Sequence, residues 1–142
     1  MALGEVWGKN GVSQMMKSIF TGTSISENLE IFFFSNDYTP NVSVQNSDLI
    51  ELNSSTGLGV QPLYKALFSN PSVITGTSTI IQTSYNDGTG LEFDIIDSCS
   101  TYGYAIRGKS TFNIYYIKNI GLHTFDSGSV YTINPIQFKM EI

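Results

Sequence analysis

The sequence predicts a mostly β protein, an antiparallel sandwich or barrel carrying one short N-terminal helix. Short runs rich in Ile, Phe, Tyr, Val and Thr recur from residue 29 onward, separated by Gly, Asn, Asp and Ser clusters. Their spacing of roughly 8–12 residues is that of strands in a sandwich or barrel. Only one segment has helical periodicity. Strands do not alternate with helices, so a doubly wound parallel sheet is not expected.

The helix is expected where Val12, Met15, Met16, Ile19 and Phe20 recur at i, i+3, i+4, i+7 and i+8, one apolar stripe. Gly11 would sit at its entry and Thr21-Gly22-Thr23 would stop it. About two to three turns do not persist alone in water, so this helix must dock. Its two methionines suit an adaptable contact, with the chain's own sheet as the first expectation and a neighbouring subunit as the second.

The β pattern begins with Leu29-Glu-Ile-Phe-Phe-Phe34 and is closed by the turn residues Asn36-Asp-Tyr-Thr-Pro40. Phe32 and Phe34 point opposite to Leu29, Ile31 and Phe33, which predicts a central strand buried on both faces. Residues 41–60 are polar, with a short strand expected at 49–52. Residues 61–68 fit helix or strand, with strand preferred; Pro62 is tolerated in either, at a first helical turn or on an edge strand. Further strands are expected at 79–84, 91–97, 102–107, 112–118, 130–133 and 136–142, with turns at 85–90, 108–110 and 126–129. Residues 1–25 read as an arm and helix and 26–142 as a single β domain, without repeat or linker.

A chain of 142 residues suits one domain. Its charged fraction, 13%, is well below the about 25% of ordinary soluble domains. Ser, Thr, Asn and Gly therefore cover much of the surface, as in proteins that live packed in assemblies. The net charge is −5, and the seven basic residues are scattered. That argues against nucleic acid, whose binding is driven by clustered Lys and Arg. No run approaches the roughly 18 apolar residues that span a membrane, and the first residues lack the basic and apolar regions of a secretory leader. Cys99 is the sole cysteine, so no intramolecular disulfide is possible, synthesis in a reducing cytoplasm is expected, and the sequons at Asn41 and Asn53 are expected to be unused. Cys99 itself is expected to be a buried, inert thiol.

Several motifs invite chemical readings. Gly103-Tyr-Ala-Ile-Arg-Gly108-Lys109-Ser110 satisfies G-x-x-x-x-G-K-[ST], yet a phosphate loop must open a helix. Here Phe112-Asn-Ile-Tyr-Tyr-Ile117 follows and is strongly β, so a hairpin is expected. Glu92 and Asp94 share a strand face and Asp97 lies opposite; alternation with Leu91, Phe93 and Ile95 makes this a solvated face rather than a glycosidase pair. His123 and Cys99 supply only two soft ligands, too few for zinc, and no G-x-S-x-G elbow presents a serine to His123. For Tyr102, Tyr104, Tyr115 and Tyr116, cross-strand pairs are a simpler reading than a stacking platform for sugar.

Several of these stretches together resemble a group of small tailed-bacteriophage virion proteins. The likeness rests on the helix, then on Ile31-Phe-Phe-Phe34-Ser-Asn36-Asp-Tyr-Thr-Pro40, Gly57-Leu-Gly-Val-Gln-Pro-Leu-Tyr64 and Gly103-Tyr104-Ala-Ile106. A closing strand, Phe125-Asp-Ser-Gly128-Ser-Val-Tyr-Thr-Ile133, completes it. The resemblance implies a non-enzymatic virion protein that decorates or cements the capsid, made in the host cytoplasm. Its implied partners are the major capsid protein and further copies of itself. A tail, baseplate or fibre-adaptor role is the alternative, and a carbohydrate-binding sandwich using exposed tyrosines a further one. No catalytic, cofactor or metal-binding residues are expected. The expected interface anchors are Trp7, Met15, Met16 and Phe20, because large or flexible apolar groups dominate contact energetics.

Overall fold

The computed structural model describes residues 4–21, 27–52, 60–61, 64–68, 72–75, 80–84, 91–95, 97–133 and 138–141. In chain order the elements are β1 (Gly4–Trp7), α1 (Lys9–Thr21), β2 (Leu29–Phe34), a 3₁₀ turn (Asn46–Asp48), β3 (Val60–Gln61) and β4 (Tyr64–Phe68). There follow β5 (Ser72–Thr75), β6 (Ile80–Ser84), β7 (Leu91–Ile95), β8 (Cys99–Gly108), β9 (Ile114–Phe125), β10 (Val130–Ile133) and β11 (Phe138–Glu141). Every pairing is antiparallel, in sheets ordered β1-β9-β8-β2-β4, β10-β7-β3 and β11-β6-β5. The protein is mostly β with one short helix, and the described strands do not close into a barrel.

All six residues of β2 are buried, as its apolar content on both faces requires. Leu29, Ile31 and Phe33 point into one core and Phe32 and Phe34 into another. The first core is sandwich-like: the five-stranded sheet contributes Phe33, Tyr104, Ile106 and Phe125, and the sheet of β7 and β10 contributes Phe93, Ile95 and Ile133. Phe33 is its hub, meeting Phe93, Phe125 and Tyr131 edge-on with ring centroids 5.0, 5.4 and 5.8 Å away. Such edge-to-face pairs add about 0.5–1.5 kcal/mol beyond area burial.

The second core, on the opposite face, is roofed by the loop after β2, which inserts Val44 and Leu49 over Phe32, Phe34, Ile114 and Ile117. Asn36 holds that loop: its amide donates to the Asp48 carbonyl at 3.0 Å and its Oδ1 accepts from Ile50 N at 2.8 Å. Residues 49–52, expected as a strand, contribute only an isolated bridge from Glu51 to Phe34. Leu49 and Leu52 are buried as that segment crosses the sheet, so their apolar character reflects the cores rather than strand pairing.

Two irregularities shape β9. Arg107 pairs with Ile114 and Ile106 with Tyr116, which leaves Tyr115 as the extra residue of a bulge. Consequently Tyr115 and Tyr116 both enter the first core. Further along, Thr101 faces His123 and Gly103 faces Asn119, with Gly121 at φ +77° in the excess loop of β9. Asn119 closes that loop by accepting from Gly121 N at 2.8 Å.

Helix α1 begins two residues before Gly11, so Gly11 lies in its first turn and not at its entry. The glycine is required there: a Cβ would fall 2.3 Å from the Tyr115 Cα. The helix rests directly on the β9 backbone, and Val12 packs against the first core. Phe20, assigned to the buried stripe by periodicity, is 77% exposed. The stripe therefore does not bury its last member, although Val12 reaches the core. Strand β1, which the sequence did not announce, is an edge strand paired with β9. Both β8 and β9 run longer than the expected 102–107 and 112–118. The Asn53 sequon, Pro62, residues 57–59, the turn at 85–90 and the helix-stop residues Gly22 and Thr23 lie outside the described residues.

Candidate functional site

The turn joining β8 to β9 is organised around an internal carboxylate. Glu27, 9% exposed, accepts from Ser110 N at 3.2 Å, Thr111 N at 2.9 Å, Thr111 Oγ1 at 2.8 Å and the Tyr115 hydroxyl at 3.1 Å. Four donors satisfy a carboxylate that burial would otherwise penalise. Gly108 makes the approach possible, since a Cβ there would lie 2.0 Å from Glu27 Oε1. The phosphate-loop pattern from Gly103 to Ser110 is thus a strand and a turn, and two amides of that turn hold Glu27. Burial pushes the Tyr115 hydroxyl well above its usual pKa, and the neighbouring charge of Glu27 and their hydrogen bond push it further.

Beside it, Arg107 is buried between two rings. Its guanidinium carbon lies 4.3 Å from the Phe32 ring centroid and 4.8 Å from that of Phe112. Nε donates to Glu30 at 2.9 Å, Nη1 to Glu51 at 3.0 Å and to Asn46 Oδ1 at 3.0 Å, and Nη2 to Glu51 at 3.2 Å. Glu30 is the direct cross-strand neighbour of Arg107 on β2. Burial alone would lower the guanidinium pKa; hydrogen bonds and charge from Glu51 and Glu30 outweigh it and hold the pKa above its usual value. Phe112 keeps its place at φ +58°, a left-handed backbone that costs a bulky residue about 1–3 kcal/mol.

Next to this cluster a groove of about 500 Å³ runs between the start of α1, the 44–47 segment and the β8–β9 turn. Val44 and Ile114, both buried, line its apolar part. Four carboxamides (Asn10, Gln45, Asn46 and Asn113) and two hydroxyls (Ser47 and Thr111) line the rest, together with the Phe112 ring. Sequence reasoning missed this site because its residues come from three separated segments, none with a local motif. The one local signal was the asparagine content around residues 41–46 and at Asn113.

The expected interface residues do not share one environment. Trp7 packs inward, its ring 4.9 Å from that of Tyr116, and is half-buried on β1. Met16 is half-buried and Phe20 exposed; the Met15 side chain lies outside what is described. The tyrosine platform is corrected by burial: Tyr115 and Tyr116 are 1% and 3% exposed. Their hydroxyls are committed to Glu27 and Glu5, so neither ring can stack on a sugar. Glu92 and Asp94 are exposed on β7, opposite Thr132 and Val130. Asp97 lies in a bend after that strand instead of on its other face. His123 is an exposed strand residue stacked near Phe125 and Tyr131. Cys99, expected buried, is half-buried at the start of β8. Among the described residues, no group of three or more His, Cys, Asp or Glu is placed to hold a metal ion, and no helix is long and apolar enough to cross a membrane.

No known protein family matches the chain, and no curated protein is similar to it.

Proposed function

We propose that the chain is a structural protein of a tailed-phage particle, decorating or cementing the capsid by contacts with the major capsid protein and with further copies of itself. The observation that supports this reading is the posture of α1. Its first turn is fastened: Gly8 N donates to Tyr115 O at 2.9 Å and Lys9 N to Val42 O at 2.8 Å. Its far end presents Phe20 to solvent at 77% exposure. A large exposed apolar side chain on a helix whose start is fastened to the body of the protein is the kind of anchor that dominates protein contacts. The charged groups in the protein interior, by contrast, hold the scaffold together: Glu27 fixes a turn and Arg107 joins a loop to the sheet.

The test is immunogold labelling of purified particles, followed by incorporation of Phe20→Asp. Head labelling that falls severalfold with the folded variant supports the reading. Tail labelling moves the protein to the tail, baseplate or fibre-adaptor alternative. Absence from particles, or unchanged incorporation of the variant, removes the particle role or the anchor respectively.

A further inference from the structure

We infer that the groove between α1, the 44–47 segment and the β8–β9 turn is a binding site for an uncharged saccharide. The lining chemistry selects the ligand class. None of the nine lining residues carries a charge, so neither an anion such as a phosphate nor a cation finds a counter-charge there. Six of the nine are carboxamides or hydroxyls; the Thr111 hydroxyl is committed to Glu27 and to Asn113 N, and the other five disfavour a purely apolar ligand, which would desolvate polar groups without pairing them. Each carboxamide offers an acceptor and two donors in one plane. Adjacent sugar hydroxyls, each both donor and acceptor, match that arrangement. A volume of about 500 Å³ falls within the roughly 300–1,000 Å³ of small-ligand clefts.

Phe112 supplies the apolar surface that a sugar ring's C–H face needs. Arg107 occupies one side of its ring, yet the residue stays 48% exposed and lines the groove. Its left-handed backbone, φ +58°, is a conformation that bulky residues rarely adopt and that gathers at ligand sites. Arg107 also acts as a positioning residue. By donating to Asn46 Oδ1 at 3.0 Å, it fixes the orientation of that amide and leaves the Nδ2 donors for a ligand acceptor. The site is therefore pre-organised, which lowers the ordering cost of binding. An extended peptide is the competing occupant, because its backbone also pairs with carboxamides. The single aromatic surface beside clustered amides favours the sugar. The inference is independent of the particle role, whose anchor Phe20 is not part of the groove.

The experiment is saturation-transfer NMR on the full chain with a panel of gluco-, manno-, galacto- and N-acetylglucosamine-based oligosaccharides. Sialyllactose serves as the charged comparison and an arrayed peptide library as the competing class. At least one neutral oligosaccharide should bind at millimolar concentration or better. Asn10→Ala, at an exposed position outside the hydrogen bonds of Arg107, should weaken it by about 3–10-fold, the effect of one lost hydrogen bond, with Tm unchanged. Phe112→Gly, which suits the positive φ, should weaken it by roughly tenfold or more. The inference is overturned if no neutral sugar binds, if sialyllactose is preferred, if peptides bind and displace the sugar, or if Asn10→Ala leaves affinity unchanged.

Discussion

Replacing Arg107 by methionine tests whether the β2–β8 pair is held by a charge that the fold cannot lose alone. In the native protein the Arg107 and Glu30 side chains are each 5% exposed, whereas Glu51 is 25% exposed. Methionine keeps much of the packing between Phe32 and Phe112 but leaves Glu30 charged, buried and without its guanidinium. Stranding one partner of a buried pair costs about 3–5 kcal/mol, while Glu51 reaches water and adds little. Loss of the two cation–π contacts adds up to about 1 kcal/mol each. The expected destabilisation is about 4 kcal/mol, a large part of the 5–15 kcal/mol that holds a typical domain. Urea unfolding followed by circular dichroism at pH 7 measures it as a lower midpoint with unchanged m-value. The control is the double variant Arg107→Met with Glu30→Met, which removes both charges and should recover most of the loss. A single variant within about 1 kcal/mol of wild type, or a double variant no better than the single, would refute the reasoning.

Three further outcomes follow from the same physical picture. Tyr115 is held as the neutral phenol, with a folded-state pKa above the unfolded value of about 10; its contribution is fully present below that pH and is lost as pH rises past it. Tyr115→Phe should cost about 1.5–3 kcal/mol at neutral pH through the lost hydrogen bond to Glu27 and should flatten the alkaline decline expected in denaturation as pH rises above about 10. Tyr131 and Tyr38, whose pKa values are also raised by burial, keep some slope. Gly11→Ala pits a helix-propensity gain of about 1 kcal/mol against a Cβ placed 2.3 Å from the Tyr115 Cα; the backbone clash should win, lowering Tm. Phe33→Ala, which removes the ring shared by Phe93, Phe125 and Tyr131, should cost about 3–5 kcal/mol by thermal unfolding.

How much of this could be read from the sequence depends on how local each cause is. Strand β2 was legible because six apolar-rich residues with aromatics on both sides can only be a central strand. The hairpin at Gly108 was legible because β residues flank a Gly-Lys-Ser turn on both sides. Strand β1 was not, since Gly4–Trp7 has no pattern of its own and becomes a strand only by pairing with β9. Tyr115 and Tyr116 read from the sequence as cross-strand pairs or as members of an exposed platform. A bulge, invisible to periodicity, turned both inward. Phe20 shared the spacing of the helix stripe, but spacing does not tell how far the docking surface extends, and Phe20 stays exposed. In the groove, Asn10, Asn46 and Phe112 meet only through tertiary folding, so no spacing rule could assemble them.

The order in which the chain is made bears on the central strand. β2 is covered on one side by β8, and Glu30 waits for Arg107 across a separation of 77 residues. At synthesis rates of roughly 5–20 residues per second, Leu29-Glu-Ile-Phe-Phe-Phe34 leaves the ribosome several seconds before that partner exists. A short aromatic segment with high β propensity and low charge is prone to pair with other copies of itself. Cell yield should therefore depend on how quickly the later half arrives, or on chaperones that shield the nascent strand, more than on the stability of the finished protein.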